Sequence, residues 1–343
     1  MAAIEGKAMD GLSTRDVPKV DFKPRRLGHV NLYVGDLNSS TDFYTNVAGI
    51  ELVRQEPGID AVFVSNGNTH HDVAFMQCKG GAVWTGRGGY VQASSFRGEV
   101  PGLNHLAWEM HSEAVLVDKL KAGTANGLEI KFSADHLISH SAYIEDPEGN
   151  YHEFYADATE DWRAIFNPER EDLVTADWDW QNIEAPLGPL RPDPADKRRV
   201  EAALFHPRCV TRAVLAVEDP ELIDVFLTDV AGLTRVDEAD GVAAYCAEVT
   251  AYDLLIVPAD SVARPGLVGF SLMVEDELDL KRSISRAEKM EVDVASVIDA
   301  SHKKSAVIYD PDGLAVEFYH PREEDGLRYL PEPGGDPFWI FDY

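Results

Sequence analysis

Two histidines and a glutamate carry the residue types of a metal site, and each falls in a strand-like stretch: His29, His105 and Glu153. The sequence around them repeats. GHVNLYVGDLNSSTDFYTNVAGIELV, from Gly28, returns as TRAVLAVEDPELIDVFLTDVAGLTRV, from Thr211. SAYIEDPEGNYHEFY, from Ser141, returns as SAVIYDPDGLAVEFY, from Ser305. Superposing the copies puts Arg212 at the place of His29, Gly269 at that of His105 and Glu317 at that of Glu153. Only the first copy keeps two imidazoles with a carboxylate. Such a set leaves coordination positions open and suits a non-haem Fe(II) that binds substrate and O2 together. The residues do not separate Fe(II) from Mn(II).

The elements that must position these residues follow from period-two alternation. In HVNLYV, Val30, Leu32 and Val34 share one face, and His29, Asn31 and Tyr33 share the other. In LNHLAWEM, Leu106, Trp108 and Met110 form the apolar face, opposite His105, Ala107 and Glu109. Glu153 shares its face with Tyr151 and Tyr155, and a carboxylate between aromatics is costly to bury unless paired or bound to a cation. His152 points the other way and is not counted as a ligand. Taken alone, each histidine reads as well as a core or surface residue; the three together, absent from the repeat, point to a metal. Glu317, without imidazoles, reads as a relic or a structural carboxylate.

The chain divides into an arm at residues 1–24, a first unit at 25–157, a linker at 158–205, a second unit at 206–322 and an aromatic tail at 323–343. Each unit reads twice as strand, helix, then several strands. The linker contains Trp162, Trp178 and Trp180 and is expected to pack on a surface. The tail, ending in PFWIFDY, should dock on a domain or on a neighbouring subunit of a homo-oligomer. With 31 basic and 60 acidic side chains the formal charge is −29, which disfavours nucleic acid and anionic membranes. No apolar run approaches the ~18 residues of a membrane span, and the first residues lack a signal-peptide core. Cys78, Cys209 and Cys246 are scattered and odd in number, as expected of free thiols in a reducing cytoplasm.

The most specific stretch is DHLISHSAYIEDPEGNYHE, Asp135 to Glu153, with a His, a Tyr, Asp-Pro-x-Gly and a Glu in series. HHDVAF, from His70, precedes LNHLAWEM. These motifs resemble the type I extradiol ring-cleavage dioxygenases of the vicinal oxygen chelate superfamily, over roughly residues 25 to 157 and 206 to 322. The sequence departs from the usual pattern in Ala134 and Ala142, and in carrying its metal ligands in the first unit. The resemblance implies an α+β fold of two domains, each of paired βαβββ modules forming a curved, mostly antiparallel sheet around a cavity. It implies Fe(II), a small aromatic diol and O2 as substrates, and a place in aromatic hydrocarbon catabolism. It makes His71 an acid/base group beside the O2 position, with His70 competing for that role; the repeat has Tyr252 there. Tyr143 would donate a hydrogen bond to a substrate oxygen, and the repeat has Val307. His136 fits the spacing of a further catalytic histidine. His140, Asn31 and Tyr33 are the expected substrate contacts. DPEGN reads as a tight turn, with Gly149 supplying the positive φ. The second unit becomes a metal-free structural domain. Two other classes stay open: a metal-dependent isomerase, epimerase or lyase on the same scaffold, and a non-catalytic aromatic-binding protein.

Overall fold

The computed structural model describes residues 17–56, 59–78, 84–92, 98–190, 197–250, 252–263, 265–322, 331 and 337–341. Four βαβββ modules follow one another. The first is β1 (Arg26–Val34), α1 (Leu37–Asp42), β2 (Leu52–Glu56), β3 (Ala61–Val64) and β4 (Val73–Gln77). A short ribbon, β5 (Trp84–Thr85) and β6 (Val91–Gln92), leads to the second: β7 (Gly102–Glu109), α2 (Glu113–Ala125), β8 (Phe132–Asp135), β9 (Ser139–Glu145) and β10 (Tyr151–Asp157). The inter-unit segment forms α3 (Trp162–Ile165) and β11 (Ala176–Asp177). The third module is β12 (Pro207–Val217), α4 (Pro220–Val225), β13 (Thr234–Ala239), β14 (Val242–Cys246) and β15 (Leu254–Pro258). The fourth is β16 (Gly266–Val274), α5 (Glu277–Lys289), β17 (Ser296–Asp299), β18 (Lys303–Tyr309) and β19 (Ala315–Pro321).

Two curved sheets result, ordered β11-β8-β9-β10-β7-β1-β4-β3-β2 and β13-β14-β15-β12-β16-β19-β18-β17. Within each, only the first and last strands of a module run parallel, as β1 with β4 and β7 with β10; the other pairs are antiparallel. The helices lie against the convex faces because the alternation directs Val30, Leu32, Leu106, Trp108, Ala142 and Phe154 into the main core. Asp36 and Asp219 cap α1 and α4 by accepting from Ser39 N and Leu222 N. Such caps are worth about 1 kcal/mol each. Both helices then widen into a π-turn, Phe43–Val47 and Phe226–Val230.

Strand register reproduces the repeat residue by residue. Val30 pairs with Val73 and Leu106, as Ala213 pairs with Leu254 and Phe270. His29 and Arg212 therefore hold the same place in the two sheets. The halves clasp one another reciprocally: Asp253 accepts from Leu27 N at 2.8 Å, and Asp72 accepts from Val210 N at 3.4 Å. Equivalent residues swapping equivalent contacts is the mark of two copies related by an approximate two-fold axis.

Within the N-terminal arm, residues 17–24 pack on the rest of the chain. Phe22 is fully buried and stacks on Phe154 at 4.1 Å, and its backbone bonds to Val230 of the second half. Residues 1–16 lie outside the described residues. Of the tail, Trp339, Ile340 and Phe341 are buried in the concave face of the second sheet, against Val214, Tyr252, Val307 and Ala315. The tail thus docks within its own chain; Tyr343 lies outside the described residues. The three cysteines are free, and no helix among the described residues is long and apolar enough to cross a membrane.

Candidate metal centre

β1, β7 and β10 are adjacent in the first sheet, so residues facing inward at matching register must meet. His29 and Glu153 both pair with Ala107, and His105 pairs with Asn31 and Tyr151. The result is a cluster in which one ligand atom each of His29, His105 and Glu153 lies within 4.8 Å of the others, all buried. His29 Nε2 stands 3.1 Å and His105 Nε2 2.9 Å from the same Glu153 oxygen, Oε2. Asn104 Oδ1 sits 2.9 Å from His105 Nδ1 and can accept a hydrogen bond from Nδ1–H, which leaves the Nε2 lone pair facing the cluster. Burial pushes His29 down to about 4, so it is neutral. Burial alone would raise Glu153, but His29 and His105 outweigh it and hold the carboxyl well below the usual range.

Around the cluster lies a small cavity lined by Asn31, Ile59, Phe63, His71, Met76, His136, Ile138, Ser139, Tyr143, Phe166 and Thr175, with about 30 Å³ of free space. His71 sits with its ring centre 3.8 Å from that of His29, and burial depresses its pKa well below 6.5. His70 lies behind it, lining a separate cleft with Arg25, Arg26 and Asp157. Tyr143 pairs across the ladder with Glu153, and burial, then the Glu153 charge, raises its phenol well above 10. His136 Nε2 is 3.2 Å from the Tyr143 hydroxyl. Asn31 lines the cavity, with no partner for Oδ1 among the described residues.

The second half tests whether this set suits a cation. There Glu317 is fully buried, and Lys303 Nζ donates to it at 2.7 Å while Ser271 Oγ donates to its other oxygen at 2.6 Å. Matching the β9–β10 and β18–β19 ladders places Ser139 where Lys303 stands. The first half therefore has a serine where the second has the ammonium, and two imidazoles that the second lacks. No lysine or arginine pairs with Glu153 among the described residues. A buried anion without a cation costs several kcal/mol, and two imidazole nitrogens and a carboxylate oxygen fit a divalent transition metal that would supply the missing charge.

Some expected site residues stand elsewhere. His140 is not among the cavity-lining residues: its Nδ1 is 2.6 Å from Glu113 Oε1 and its ring stacks on Trp178 at 5.0 Å. It shares a strand face with Ala142 and Ile144, which are in the core, so the alternation that directs Tyr143 inward directs His140 outward. Tyr33 clusters with Ile59, Ala61 and Met76, one layer behind the cavity wall. His152 does lie on the far face, accepting from Trp108 Nε1 at 3.0 Å. Phe166 and Thr175, from the segment read as a linker, were missed. That segment has no strand or helix periodicity to announce that it forms a wall.

Comparison with known proteins agrees with this architecture. Residues 26–154 match the family model described as Glyoxalase/Bleomycin resistance protein/Dioxygenase superfamily. Over 132 residues, 38% of the chain, the protein is 28% identical to biphenyl-2,3-diol 1,2-dioxygenase 3 of Rhodococcus globerulus. That match spans 63% of the relative's length. Among solved structures, BphC, a halotolerant catechol dioxygenase, aligns with a TM-score of 0.60 at 16% identity, covering 90% of this chain and 91% of that one. The Mn(II)-bound glyoxalase from Novosphingobium aromaticivorans aligns with a TM-score of 0.60 at 18% identity, covering 88% and 84%. Residues 26–154 thus match the glyoxalase, bleomycin-resistance and dioxygenase superfamily, in a chain whose fold its dioxygenase and glyoxalase neighbours share.

Proposed function

We propose that the protein is an Fe(II)-dependent extradiol dioxygenase that opens a catechol-type aromatic ring and places both atoms of O2 in the product. The observation that carries this reading is the convergence of His29, His105 and Glu153 beside His71, His136 and Tyr143. The dioxygenase names of its sequence relatives support it. Bound iron would hold the diol and activate O2 by passing charge between them. The protein's own part is proton handling and exclusion of water. His71, kept neutral by burial, can take a diol proton at a ring nitrogen and return it later, a general acid/base contribution of about 10²–10⁴-fold. With Glu153 taken up by the metal, Tyr143 can turn its hydroxyl to a developing oxyanion, with His136 donating to it from behind. Phe63, Phe166, Ile59, Ile138 and Met76 give the cavity apolar walls suited to an aromatic ring.

About 30 Å³ is far less than the roughly 150 Å³ cavity that takes one benzene. The cavity must therefore widen to admit substrate; Phe166 and Thr175 of the inter-unit segment are among the lining residues that lie outside the sheet's central strands.

The deciding experiment is anaerobic loading with Fe(II) or Mn(II), then oxygen-electrode measurement with a panel of catechols. One O2 consumed per ring-opened product is expected. Metal binding without O2 uptake on any diol would transfer the site to metal-assisted isomerisation, the chemistry of a glyoxalase. Aromatic binding without metal would make it a binding protein.

A further inference from the structure

We infer that Thr175 is a positioning residue: by donating its hydroxyl hydrogen to Nδ1 of His136, it keeps the proton of that imidazole on Nε2, aimed at Tyr143 and the cavity. The reading of Proposed function enters only in what the aimed proton is for; the tautomer is a property of the chain itself.

His136 touches a polar side chain at each ring nitrogen. Nδ1 is 3.1 Å from Thr175 Oγ1, and Nε2 is 3.2 Å from the Tyr143 hydroxyl. Burial lowers its pKa to about 4, so near neutral pH one ring nitrogen donates and the other accepts. Tyr143 decides which. Its hydroxyl is engaged with the Glu153 carboxylate, its direct cross-strand partner. An ionised carboxylate outcompetes a neutral imidazole for the phenolic hydrogen, because a charge-assisted bond is roughly twice as strong. Tyr143 therefore gives its hydrogen to Glu153 and accepts from His136 Nε2–H. Nδ1 is left with a lone pair in a buried place, and the Thr175 hydroxyl satisfies it.

The position of Thr175 is fixed from both sides. Arg54, fully buried, pairs with Glu56 at 2.8 Å and donates to the carbonyls of Arg170 and Asp172. Glu56 Oε1 accepts from Val174 N at 2.8 Å. On the other side Ala176 pairs with Asp135 in the ladder of β11 and β8. A buried guanidinium and carboxylate spent on the backbone of 170–174 hold that stretch against the first sheet. The next side chain along is Thr175.

The test is the ring-nitrogen NMR spectrum of the full-length protein labelled with ¹⁵N-histidine, with His136 identified by its absence in H136N. Wild type and T175S should show the proton on Nε2 of His136, and T175V should show loss of that preference. A wild-type proton on Nδ1, or an Nε2 preference undiminished in T175V, overturns the inference. In the iron-loaded enzyme T175V should lower kcat about three- to tenfold, the worth of one hydrogen bond, with T175S restoring it. In an H136A background T175V should have no further effect, since a residue acting through His136 cannot act without it. Full additivity of T175V and H136A would also refute the inference. Should no catechol be opened at all, the proposed function falls, and the NMR result still decides the tautomer.

Discussion

The buried pair of Lys303 and Glu317 offers the sharpest test of how the two halves differ. Both side chains are 0% exposed, with Lys303 Nζ 2.7 Å from Glu317 Oε1. The same ammonium donates to the Phe341 carbonyl, so it also ties down the tail. Lys303→Met keeps the length of the side chain and removes the charge. Glu317 then keeps the hydrogen of Ser271, at 2.6 Å, but loses the ammonium that faced its other oxygen. Removing one partner of a buried ion pair costs about 3–5 kcal/mol. At roughly 2–4 °C per kcal/mol for a large domain, the melting temperature should fall by on the order of 10 °C. Lys303→Met/Glu317→Met removes both charges and should recover most of that loss, because an apolar pair of similar volume is often neutral or better. Differential scanning calorimetry of the two variants and the wild type is the assay. A single variant as stable as wild type, or a double variant no better than the single, would refute the claim that the ammonium is there to answer the carboxylate.

Truncation after Gly335 removes Trp339, Ile340 and Phe341, which are 6%, 1% and 0% exposed, and each such side chain is worth roughly 1.5–3 kcal/mol when buried. The melting temperature should drop while iron content stays at the wild-type level; unchanged melting would mean that the tail does not hold the second half together. His29→Ala, His105→Ala and Glu153→Ala should each abolish tight iron binding by elemental analysis, whereas His71→Ala should keep its iron and turn over about 10²–10⁴-fold more slowly. Iron retained in all three ligand variants would remove the metal site. Burial acts to lower the His140 pKa, but hydrogen bonding to Asp135 and the charge of Glu113 outweigh it and raise the value. The stability that protonated His140 gives is therefore fully present below its unfolded value near 6.5 and lost as pH rises through the folded value. His140→Gln should thus lower the melting temperature more at pH ~6 than at pH ~9, and a pH-independent loss would count against the ion pair.

What the sequence made legible was whatever depends on short-range periodicity and on the repeat. Alternation in HVNLYV and LNHLAWEM placed His29 and His105 on one face, and the repeat located the equivalents later seen in the strand register. Alternation would also have excluded His140, three residues before Tyr143 on β9 and so on the opposite face. Thr175 and Phe166 were not legible, because the segment that carries them is shaped by contacts more than 100 residues away in sequence, such as Arg54 Nη2 to Asp172 O. Nothing local marks a threonine in such a segment as a cavity wall.

The ladder match of Ser139 with Lys303 was available in the repeat, and it explains why one carboxylate became a candidate ligand and the other did not. An ammonium 2.7 Å from Glu317 supplies the positive charge that the buried carboxylate requires. A divalent ion at the same place would have to displace it or sit beside it, at a repulsion that is large in a medium of low dielectric. Arg212, buried against Tyr252 and Tyr319 at the place of His29, adds a second positive charge that a metal would meet. At Gly269, in the place of His105, a Cβ would lie 2.6 Å from the Ala315 carbonyl oxygen and 2.7 Å from the Phe341 ring. Two of these changes also serve the tail: Lys303 donates to the Phe341 carbonyl, and Gly269 leaves room for the Phe341 ring. The residues that stand in place of the ligands and those that hold the tail therefore overlap, and installing only the two histidines would not create a site.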